Sequence, residues 1–284
     1  MIRARLLPVV ALLVIVAAGC NWPRVNPPGD APVRYRDPVF SGITVTSGIS
    51  YASAVNLSGQ TVDLKLDMYT PTGDTVTNRP AIVWVHGGSF CCGTRTSGEI
   101  VDEANNFAKF GYVNVSIDYR LESPGCSANQ SNCIQAIQEA TADAQTAVRW
   151  LRTNAPTYGV DPDRIAIGGS SAGAIAALNV AYSTSEDASA RVGGAVGISG
   201  AQLVTGTISA GDAPVLDFHC TTDPLVNYAW ATGTIDRAKA AGLPAFLESW
   251  DATCHVPYGE HHDQIIEQTR NFLWWAMDLA NATT

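Results

Sequence analysis

Apolar and polar residues alternate in some stretches of the chain and form continuous apolar runs in others. Residues 62–69 alternate, which predicts a strand with one exposed face. Residues 81–85 are wholly apolar, which is typical of a central strand covered on both faces. Further stretches that read as strands cover residues 112–117, 165–167, 195–199, 214–218 and 245–250.

Helical periodicity fills the gaps between these strands. Apolar residues recur on one stripe from Ile134 to Arg152, which predicts an amphipathic helix. The other predicted helices cover residues 99–110, 172–182, 229–241 and 263–279. Strands that alternate with helices imply an α/β fold, with a mostly parallel sheet, helices on both faces and an antiparallel edge. In such sheets the functional site lies beyond the carboxyl ends of the strands, so the loops at those ends hold the candidate chemistry.

Residues 1–19 predict a signal peptide rather than a part of the fold. Arg3 and Arg5 precede an apolar stretch, Leu6–Ala18, that is too short to be a good membrane span. Small residues then lead to Cys20, as in a lipoprotein signal that is cleaved before this cysteine so that its thiol carries lipid. Ordinary signal cleavage, with Cys20 incidental, is the alternative.

The rest of the chain is expected to be a tether followed by one domain. Residues 20–40 are rich in proline and predict a lipidated tether, and residues 41–284 suit one large α/β domain. A lipid at Cys20 would anchor the protein to a membrane of the bacterial cell envelope, outside the cytoplasm. The net charge is −9, and only three of the 17 basic residues are lysines. A chain with this acidic balance lacks the basic patch that is typical of nucleic-acid-binding proteins.

Six cysteines follow Cys20, and an even number suggests disulfides in an exported protein. A zinc site is the rival interpretation. It is not favoured, because no two of these cysteines have C-x-x-C spacing and the histidines are scattered. The sequence therefore predicts disulfides and no metal.

The positions of the cysteines suggest how they pair. Cys220 directly follows one strand and Cys254 lies in the loop after the next strand, so neighbouring strand ends would bring the two together. Cys126 and Cys133 would close a small local loop. The two adjacent cysteines at residues 91–92 would then form either a strained vicinal pair or two thiols.

The segment Gly169-Ser170-Ser171-Ala172-Gly173 fits the pattern G-x-S-x-G and lies between a predicted strand and a predicted helix. A serine that must stand above a sheet sits on a strained strand-to-helix turn, and its flanking positions can carry almost no side chain. The helix also aims backbone N–H groups at any negative charge that develops near Ser171. This setting predicts a catalytic nucleophile at Ser171. A glycine-rich turn that merely packs tightly is the alternative.

The loop after residues 81–85 begins His86-Gly87-Gly88. Two adjacent glycines let the backbone approach a substrate oxygen, and their N–H groups can join that of Ala172 in an oxyanion hole. The predicted oxyanion donors are therefore Gly87, Gly88 and Ala172. His86 belongs to the glycine motif, so we expect it to hold the loop by hydrogen bonds rather than to act as a base.

Two later loops hold the candidate acid and base. Asp223 follows the strand over residues 214–218, and His255 follows the strand over residues 245–250, which completes the chain order Ser, Asp, His. The alternative for Asp223 is a cap or turn aspartate ahead of a proline. Other candidates rank lower, because they lie inside a strand, too near His255, or in a polar cluster typical of a helix start: Asp217, Asp251, His261 and His262.

With these motifs the chain resembles the α/β-hydrolases, and among them the bacterial carboxylesterases related to hormone-sensitive lipase and to the acetyl and feruloyl esterases. The resembling segments, besides the two loops just described, are residues 64–71, 80–88, 118–121 and 142–174. The resemblance implies an eight-stranded sheet, a triad of Ser171, Asp223 and His255, the three oxyanion donors named above, and no cofactor.

The chain departs from this family in two places. The family's third loop glycine is Ser89 here, which puts in doubt a third oxyanion contact and activity on hindered esters. Only 13 residues separate Gly200 from Pro214, so no large lid is expected. The expected function is hydrolysis of short-chain acyl esters, such as acetyl or feruloyl groups on a carrier, through an acyl-enzyme. A serine peptidase of the same fold and a non-catalytic, lipid-anchored binding protein are the alternatives.

Overall fold

The structure is a computed structural model that describes residues 32–127, 130–183, 187–204 and 206–282. Its strands are β1 (Ile43–Val55), β2 (Thr61–Pro71), β3 (Arg79–Val85), β4 (Val113–Ile117), β5 (Val160–Ser170), β6 (Ala195–Ile198), β7 (Val215–Cys220) and β8 (Ala245–Trp250). They form one eight-stranded sheet in the order β1-β2-β4-β3-β5-β6-β7-β8.

Helices connect most of these strands. They are α1 (Gly98–Phe110), α2 (Gln130–Thr153), α3 (Ala155–Tyr158), α4 (Ala172–Ala181), α5 (Tyr228–Ala240) and α6 (His262–Ala276). Short 3-10 turns occur at Gly125–Ser127, Ala188–Ala190 and Leu279–Asn281. The long predicted helices are therefore all present, with ends that differ by a few residues.

The sheet is parallel except at one edge. β1 pairs antiparallel with β2, and β2 pairs antiparallel with β4. Every other neighbouring pair is parallel, from β4 across to β8. The carboxyl ends of the parallel strands meet at one edge of the sheet, where Val85 of β3 pairs with Gly169 of β5. The predicted α/β fold, with a mostly parallel eight-stranded sheet, is confirmed.

The edge strand β1 is the strand that the residue pattern did not predict. Its register with β2 shifts twice, between Thr46 and Ile49 and between Ser50 and Ala52. Each shift moves the following side chains to the other face, so the strand lacks a continuous apolar–polar alternation. Much of its length is also exposed, as expected for an edge strand.

Helices cover both faces of the sheet. Alternate residues of β3 point to opposite sides: Ile82 and Trp84 join α1 and α6, whereas Val83 and Val85 join α2, α4 and α5. All four are completely buried. Gly168 of β5 leaves the space that the Trp84 ring fills, since a Cβ there would lie 2.4 Å from that ring. The two apolar layers hold the central strands in place.

The described part of the predicted tether, residues 32–40, lies against the domain. Tyr35 is only 1% exposed, and its N–H donates to the carbonyl of Phe110 at 2.7 Å. The hydroxyl of Tyr112 donates to the carbonyl of Tyr35 at 3.1 Å. The predicted signal over residues 1–19 and the predicted lipidation site, Cys20, lie outside the described residues. Among the residues that are described, no helix is long and apolar enough to cross a membrane.

The connection between β6 and β7 is where a lid would be expected. Its described residues, 199–204 and 206–214, contain neither a helix nor a strand. Ala201 and Gln202 are buried, and the N–H of Gln202 donates to Thr234 Oγ1 of α5 at 3.0 Å. This short connection therefore packs onto the domain beside the carboxyl edge of the sheet.

Candidate active site

Ser171 lies on the turn between β5 and α4, with φ 52° and ψ −118°. This left-handed φ is strained for a residue other than glycine. A Cβ at Gly169 would lie 2.4 Å from the carbonyl oxygen of Val85, and one at Gly173 would lie 2.0 Å from the same atom. The turn therefore fits against β3 only with glycine at both flanking positions, which is the physical reason for the G-x-S-x-G pattern.

The three side chains of the predicted triad meet at the carboxyl edge of the sheet. Nε2 of His255 lies 2.8 Å from Oγ of Ser171. Nδ1 of His255 lies 2.8 Å from Oδ2 and 3.0 Å from Oδ1 of Asp223. Because a carboxylate only accepts hydrogen bonds, Nδ1 carries the proton and the lone pair of Nε2 faces the serine hydroxyl.

The carboxylate of Asp223 is held by the turn that follows it. Its Oδ1 accepts hydrogen bonds from the N–H groups of Leu225 at 2.8 Å and Val226 at 3.0 Å. Burial would raise the pKa of Asp223, but the hydrogen bonds from His255, Leu225, Val226 and Ser199 outweigh it and lower the pKa below its ordinary value. Asp223 thus closes a turn, as the alternative interpretation expected, and also orients His255.

The other histidine candidates lie elsewhere. The ring of His261 stacks on Trp250, with ring centroids 4.0 Å apart. His262 is more exposed, and its two ring nitrogens each lie 2.8 Å from a carboxylate, Nε2 from Asp102 and Nδ1 from Asp263. Neither ring is in hydrogen-bond contact with Ser171, so the structure brings only His255 to the serine.

The other aspartate candidates also have different partners. Asp217 is buried in β7, where its Oδ2 lies 3.2 Å from Nδ1 of His219 and its Oδ1 accepts from the N–H of Gly200. Asp251 accepts a hydrogen bond from Oγ1 of Thr221 at 3.1 Å. Asp223 is the aspartate that contacts His255.

The glycine loop after β3 approaches Ser171 closely. A Cβ at Gly87 would lie 3.2 Å from the Cβ of Ser171, and one at Gly88 would lie 2.1 Å from the carbonyl oxygen of Cys92. Gly88 also has a φ of 121°, which other residues rarely adopt. Ala172, the first residue of α4, follows the serine directly. Gly87 and Ala172 therefore lie next to Ser171, and Gly88 follows Gly87 in the same loop.

His86 braces this loop, as the sequence predicted. Its Nδ1 donates to the carbonyl of Gly87 at 2.6 Å, and its ring stacks on Tyr119 with centroids 4.4 Å apart. The hydroxyl of Tyr119 donates back to the carbonyl of His86. Burial lowers the pKa of His86, so its ring is neutral at neutral pH.

The vicinal cysteines are two thiols that belong to the same loop. Their Sγ atoms lie 3.0 Å apart. The N–H groups of Cys91 and Cys92 both donate to the carbonyl of Gly88 at 3.0 Å. Of the two alternatives considered from the sequence, the structure has the pair of thiols.

Among the cysteines that the structure describes, two disulfides are present, and both were predicted: Cys126–Cys133 and Cys220–Cys254. Because Cys254 directly precedes His255, the second disulfide ties the loop of His255 to the end of β7. Thr222 reinforces this link, since its N–H and its hydroxyl both donate to the carbonyl of Ala252. The loops of Asp223 and His255 are therefore joined by covalent and hydrogen bonds.

Sequence reasoning gave no role to Ser199, which lies just after β6. It is completely buried, has a left-handed φ of 59°, and its Oγ accepts from the N–H of Val256 at 3.0 Å. It also hydrogen-bonds to Asp223. The one available signal was its position at the carboxyl end of a strand, which does not distinguish it from its neighbours.

The site consists of hydroxyl, imidazole, carboxylate and peptide N–H groups. Within the described parts of the chain, no three His, Cys, Asp or Glu side chains are grouped so that they could hold a metal ion. The arrangement can transfer a proton from a serine hydroxyl to an imidazole that a carboxylate orients, next to backbone N–H groups.

Known proteins match parts of this sequence. The model of the BD-FAE family matches residues 66–201. Phenmedipham hydrolase of Pseudarthrobacter oxydans is 38% identical over 119 residues, which are 40% of this chain and 22% of that protein. Para-nitrobenzyl esterase of Bacillus subtilis is 34% identical over 105 residues, which are 36% of this chain and 21% of that protein. The chain thus spans only about a fifth of these curated relatives.

Solved structures share the fold over most of the chain. Esterase 2 of Thermogutta terrifontis, phosphonylated by sarin, superposes with a TM-score of 0.68 at 24% identity, over 82% of this chain and 95% of that chain. The same esterase phosphorylated by paraoxon gives 0.67 at 25% identity, over 86% of this chain and 97% of that chain. Together with the elbow and the sheet order, these likenesses show that the chain has the α/β-hydrolase fold, and the sequence matches show that it is similar to esterases.

Proposed function

We propose that this protein is a serine carboxylesterase that hydrolyses short-chain acyl esters. Ser171 is the nucleophile, His255 the general base and then the general acid, and Asp223 the residue that orients His255. The observation that carries this proposal is the 2.8 Å contact between Nε2 of His255 and Oγ of Ser171, with Nδ1 held by Asp223. The sequence similarity to para-nitrobenzyl esterase supports the choice of an ester as substrate.

The first half of the reaction acylates the serine. As Oγ of Ser171 attacks the ester carbonyl, its proton passes to Nε2 of His255, and the carboxylate of Asp223 stabilises the imidazolium that forms. The tetrahedral intermediate then collapses. His255 returns the proton to the leaving alcohol, and an acyl-enzyme remains.

The negative charge of the tetrahedral intermediate needs hydrogen-bond donors. Gly87, Gly88 and Ala172 are proposed to supply them through their backbone N–H groups, since Gly87 approaches Ser171 and Ala172 follows it. One donor of this kind contributes about 3 kcal/mol to lowering the barrier. In the second half of the reaction, water activated by His255 attacks the acyl-enzyme and releases the acid.

The short connection after β6 supports a small acyl group as substrate. A long acyl chain gains only about 0.8 kcal/mol for each buried CH₂, so enzymes that use long chains need a large apolar surface. The described residues of this connection form no helix that could supply one. Acetyl to butyryl esters, or acyl groups displayed on a bulky carrier, suit such an open site.

Hydrolysis of p-nitrophenyl acetate, compared with an aminoacyl p-nitroanilide, tests the proposed reaction class. We expect turnover of the ester and little or none of the anilide, and Ser171→Ala serves as the control for background hydrolysis. Preference for the anilide would favour a peptidase. Failure to turn over either substrate, in a protein that folds normally, would favour a binding protein.

We also propose that the protein is anchored by lipid at Cys20 to a membrane of the cell envelope. The support is the sequence alone, in which a positive and then apolar stretch leads to Ala17-Ala18-Gly19-Cys20. Labelling with a fatty-acid analogue tests this directly: wild type should take up the label, and Cys20→Ser should not. An unmodified mature terminus, found by mass spectrometry, would disprove the anchor.

A further inference from the structure

A second histidine is buried behind the acid of the proposed triad. His219 lies in β7 and is completely buried, and Asp217, two residues earlier in the same strand, is 1% exposed. Neither has a part in the mechanism proposed above. A buried histidine beside a buried aspartate raises the question of how many protons the pair holds.

The partners of the His219 ring fix one proton. Nε2 lies 2.9 Å from the carbonyl oxygen of Val226, and Nδ1 lies 3.2 Å from Oδ2 of Asp217. Because a carbonyl oxygen only accepts, Nε2 must carry hydrogen for this contact to be a hydrogen bond. The contact at Nδ1 then needs a proton of its own.

A neutral His219 beside an ionised Asp217 cannot satisfy both contacts. If the ring proton is on Nε2, the lone pair of Nδ1 faces a carboxylate oxygen. If it is on Nδ1, the lone pair of Nε2 faces the Val226 carbonyl. Unpaired acceptors of this kind are costly when buried. Both contacts become hydrogen bonds if the pair holds one more proton, either as imidazolium and carboxylate or as imidazole and carboxylic acid.

The surroundings favour keeping that proton. Burial raises the pKa of Asp217. Burial would lower the pKa of His219, but the hydrogen bonds with Asp217 and Val226 and the charges of Asp217 and Asp223 together outweigh burial and raise the pKa. The strand fits the carboxyl group closely, since a Cβ at Gly197 would lie 2.2 Å from Oδ1 of Asp217. Gly200 donates its N–H to the same oxygen at 3.2 Å.

Other titratable groups face this pair from the neighbouring elements. Asp223, from the loop after β7, has its Oδ2 3.6 Å from Nε2 of His219. The ring of Tyr228, from α5, lies 5.8 Å from the imidazole. Tyr182, after α4, interacts electrostatically with Asp217. The nearby carboxylate of Asp223 adds to the tendency of His219 to hold its proton.

His219 also braces the turn that holds Asp223. The carbonyl of Val226 accepts from His219, while the N–H of the same residue donates to Oδ1 of Asp223 at 3.0 Å. The other carboxylate oxygen of Asp223, Oδ2, is the one that lies 2.8 Å from Nδ1 of His255. A single residue, Val226, therefore links the buried histidine to the carboxylate that orients the proposed base.

We infer that His219 is a positioning residue for Asp223, and that it shares one retained proton with Asp217 over the pH range in which an exposed histidine titrates. The positioning part rests on the proposed role of Asp223 in catalysis. The proton-sharing part does not, because it follows from the contacts of the ring alone.

Nuclear magnetic resonance of the wild-type protein tests the shared proton. The ring nitrogens of His219, assigned with His219→Gln, and the carboxyl carbon of Asp217 are followed from about pH 5.5 to about pH 8.5. We expect either an imidazolium at His219 or a carboxylic acid at Asp217 throughout, while the partly exposed His262 titrates and serves as the internal reference. A neutral imidazole beside an ionised carboxylate at neutral pH would overturn the inference. So would a His219 that titrates as His262 does.

Kinetics of His219→Ala and His219→Gln test the positioning role, with circular dichroism as the check on folding. Loss of the brace should lower kcat by about 10- to 100-fold in His219→Ala, with KM within about twofold. His219→Gln should recover part of this loss, because its amide can still donate to the carbonyl of Val226. Near-normal kcat in a folded His219→Ala would overturn the positioning role.

A wild type that is itself inactive would instead count against the proposed function. The positioning role would then fall with it, whereas the shared proton would still be decided by the magnetic resonance experiment. Asp217→Asn gives a second variant for both measurements, since it keeps the shape of Asp217 and removes the carboxyl proton. We expect His219 to be a neutral imidazole over the same pH range in this variant, because no carboxylate is left beside Nδ1. An imidazolium that persists there would contradict a proton shared with Asp217.

Discussion

Nδ1 of His255 lies 2.8 Å from Oδ2 of Asp223, although 32 residues separate them in the chain. The two residues follow β7 and β8, which are neighbouring parallel strands, so their loops leave the same edge of the sheet. The Cys220–Cys254 disulfide joins these loops. The strand order therefore brings Asp223 and His255 together, and the disulfide holds their loops in place.

The lowered pKa of Asp223 predicts how stability depends on pH. A carboxyl whose pKa is lower in the folded than in the unfolded protein stabilises the fold fully above about pH 4, and this contribution is lost as the pH falls through the folded-state value. We expect wild type to lose stability relative to Asp223→Asn as the pH falls from about 6 to about 3. Urea unfolding at several pH values measures this difference. A difference that stays constant over this range would show that hydrogen bonds do not favour the ionised carboxylate.

The elbow glycines predict a steric result. Gly169→Ala and Gly173→Ala would place a Cβ against the carbonyl oxygen of Val85, at 2.4 Å and 2.0 Å. Overpacking against backbone should destabilise each variant by about 1–3 kcal/mol and displace Ser171. Gly98→Ala is the matched control, because nothing lies within 4 Å of a Cβ there. Chemical unfolding and kcat measure both effects, and a Gly173→Ala variant as stable as Gly98→Ala would contradict the packing described for the turn.

The elbow and the meeting of its serine with Asp223 and His255 could be predicted from general rules of turn and strand geometry. Gly169, Ser171 and Gly173 follow from sterics at one strand-to-helix turn, and Asp223 and His255 follow from the rule that sites lie at carboxyl strand ends. The central strands could be predicted as well, because burial on both faces leaves continuous apolar runs.

Other features depend on contacts that the sequence does not display. The two register shifts of β1 break its alternation, so the strand is visible only through its pairing with β2. The role of His219 arises from Val226, seven residues later, whose carbonyl it reaches only because the Asp223 turn folds back. In the same way, Ser199 acquires its role through Val256, which belongs to a distant loop.

The short connection after β6 predicts a preference for small acyl groups. We expect kcat/KM for p-nitrophenyl esters to be highest from acetyl to butyryl and to fall steeply by octanoyl, because the described residues of the connection offer no large apolar cover. Addition of an oil–water interface should not activate the enzyme. A maximum at decanoyl or longer chains would show that an apolar surface exists where none is expected.

Alanine variants test the three residues of the proposed triad together. Ser171→Ala, Asp223→Ala and His255→Ala should each lower kcat by about 10³-fold or more, and combining them should add little, because the three act as a unit. His262→Ala is the matched control, since this histidine also contacts a carboxylate but does not contact Ser171. A severe loss in His262→Ala, or near-normal turnover in His255→Ala, would contradict the assignment.

The central claim is that Ser171 is a nucleophile activated by His255. Its most direct test is the reaction of the folded protein with a fluorophosphonate, followed by peptide mass spectrometry. We predict one adduct, on Ser171, that is absent from Ser171→Ala and forms far more slowly in His255→Ala than in wild type. A wild-type protein that stays unlabelled, or that carries the adduct on another residue, would contradict the claim.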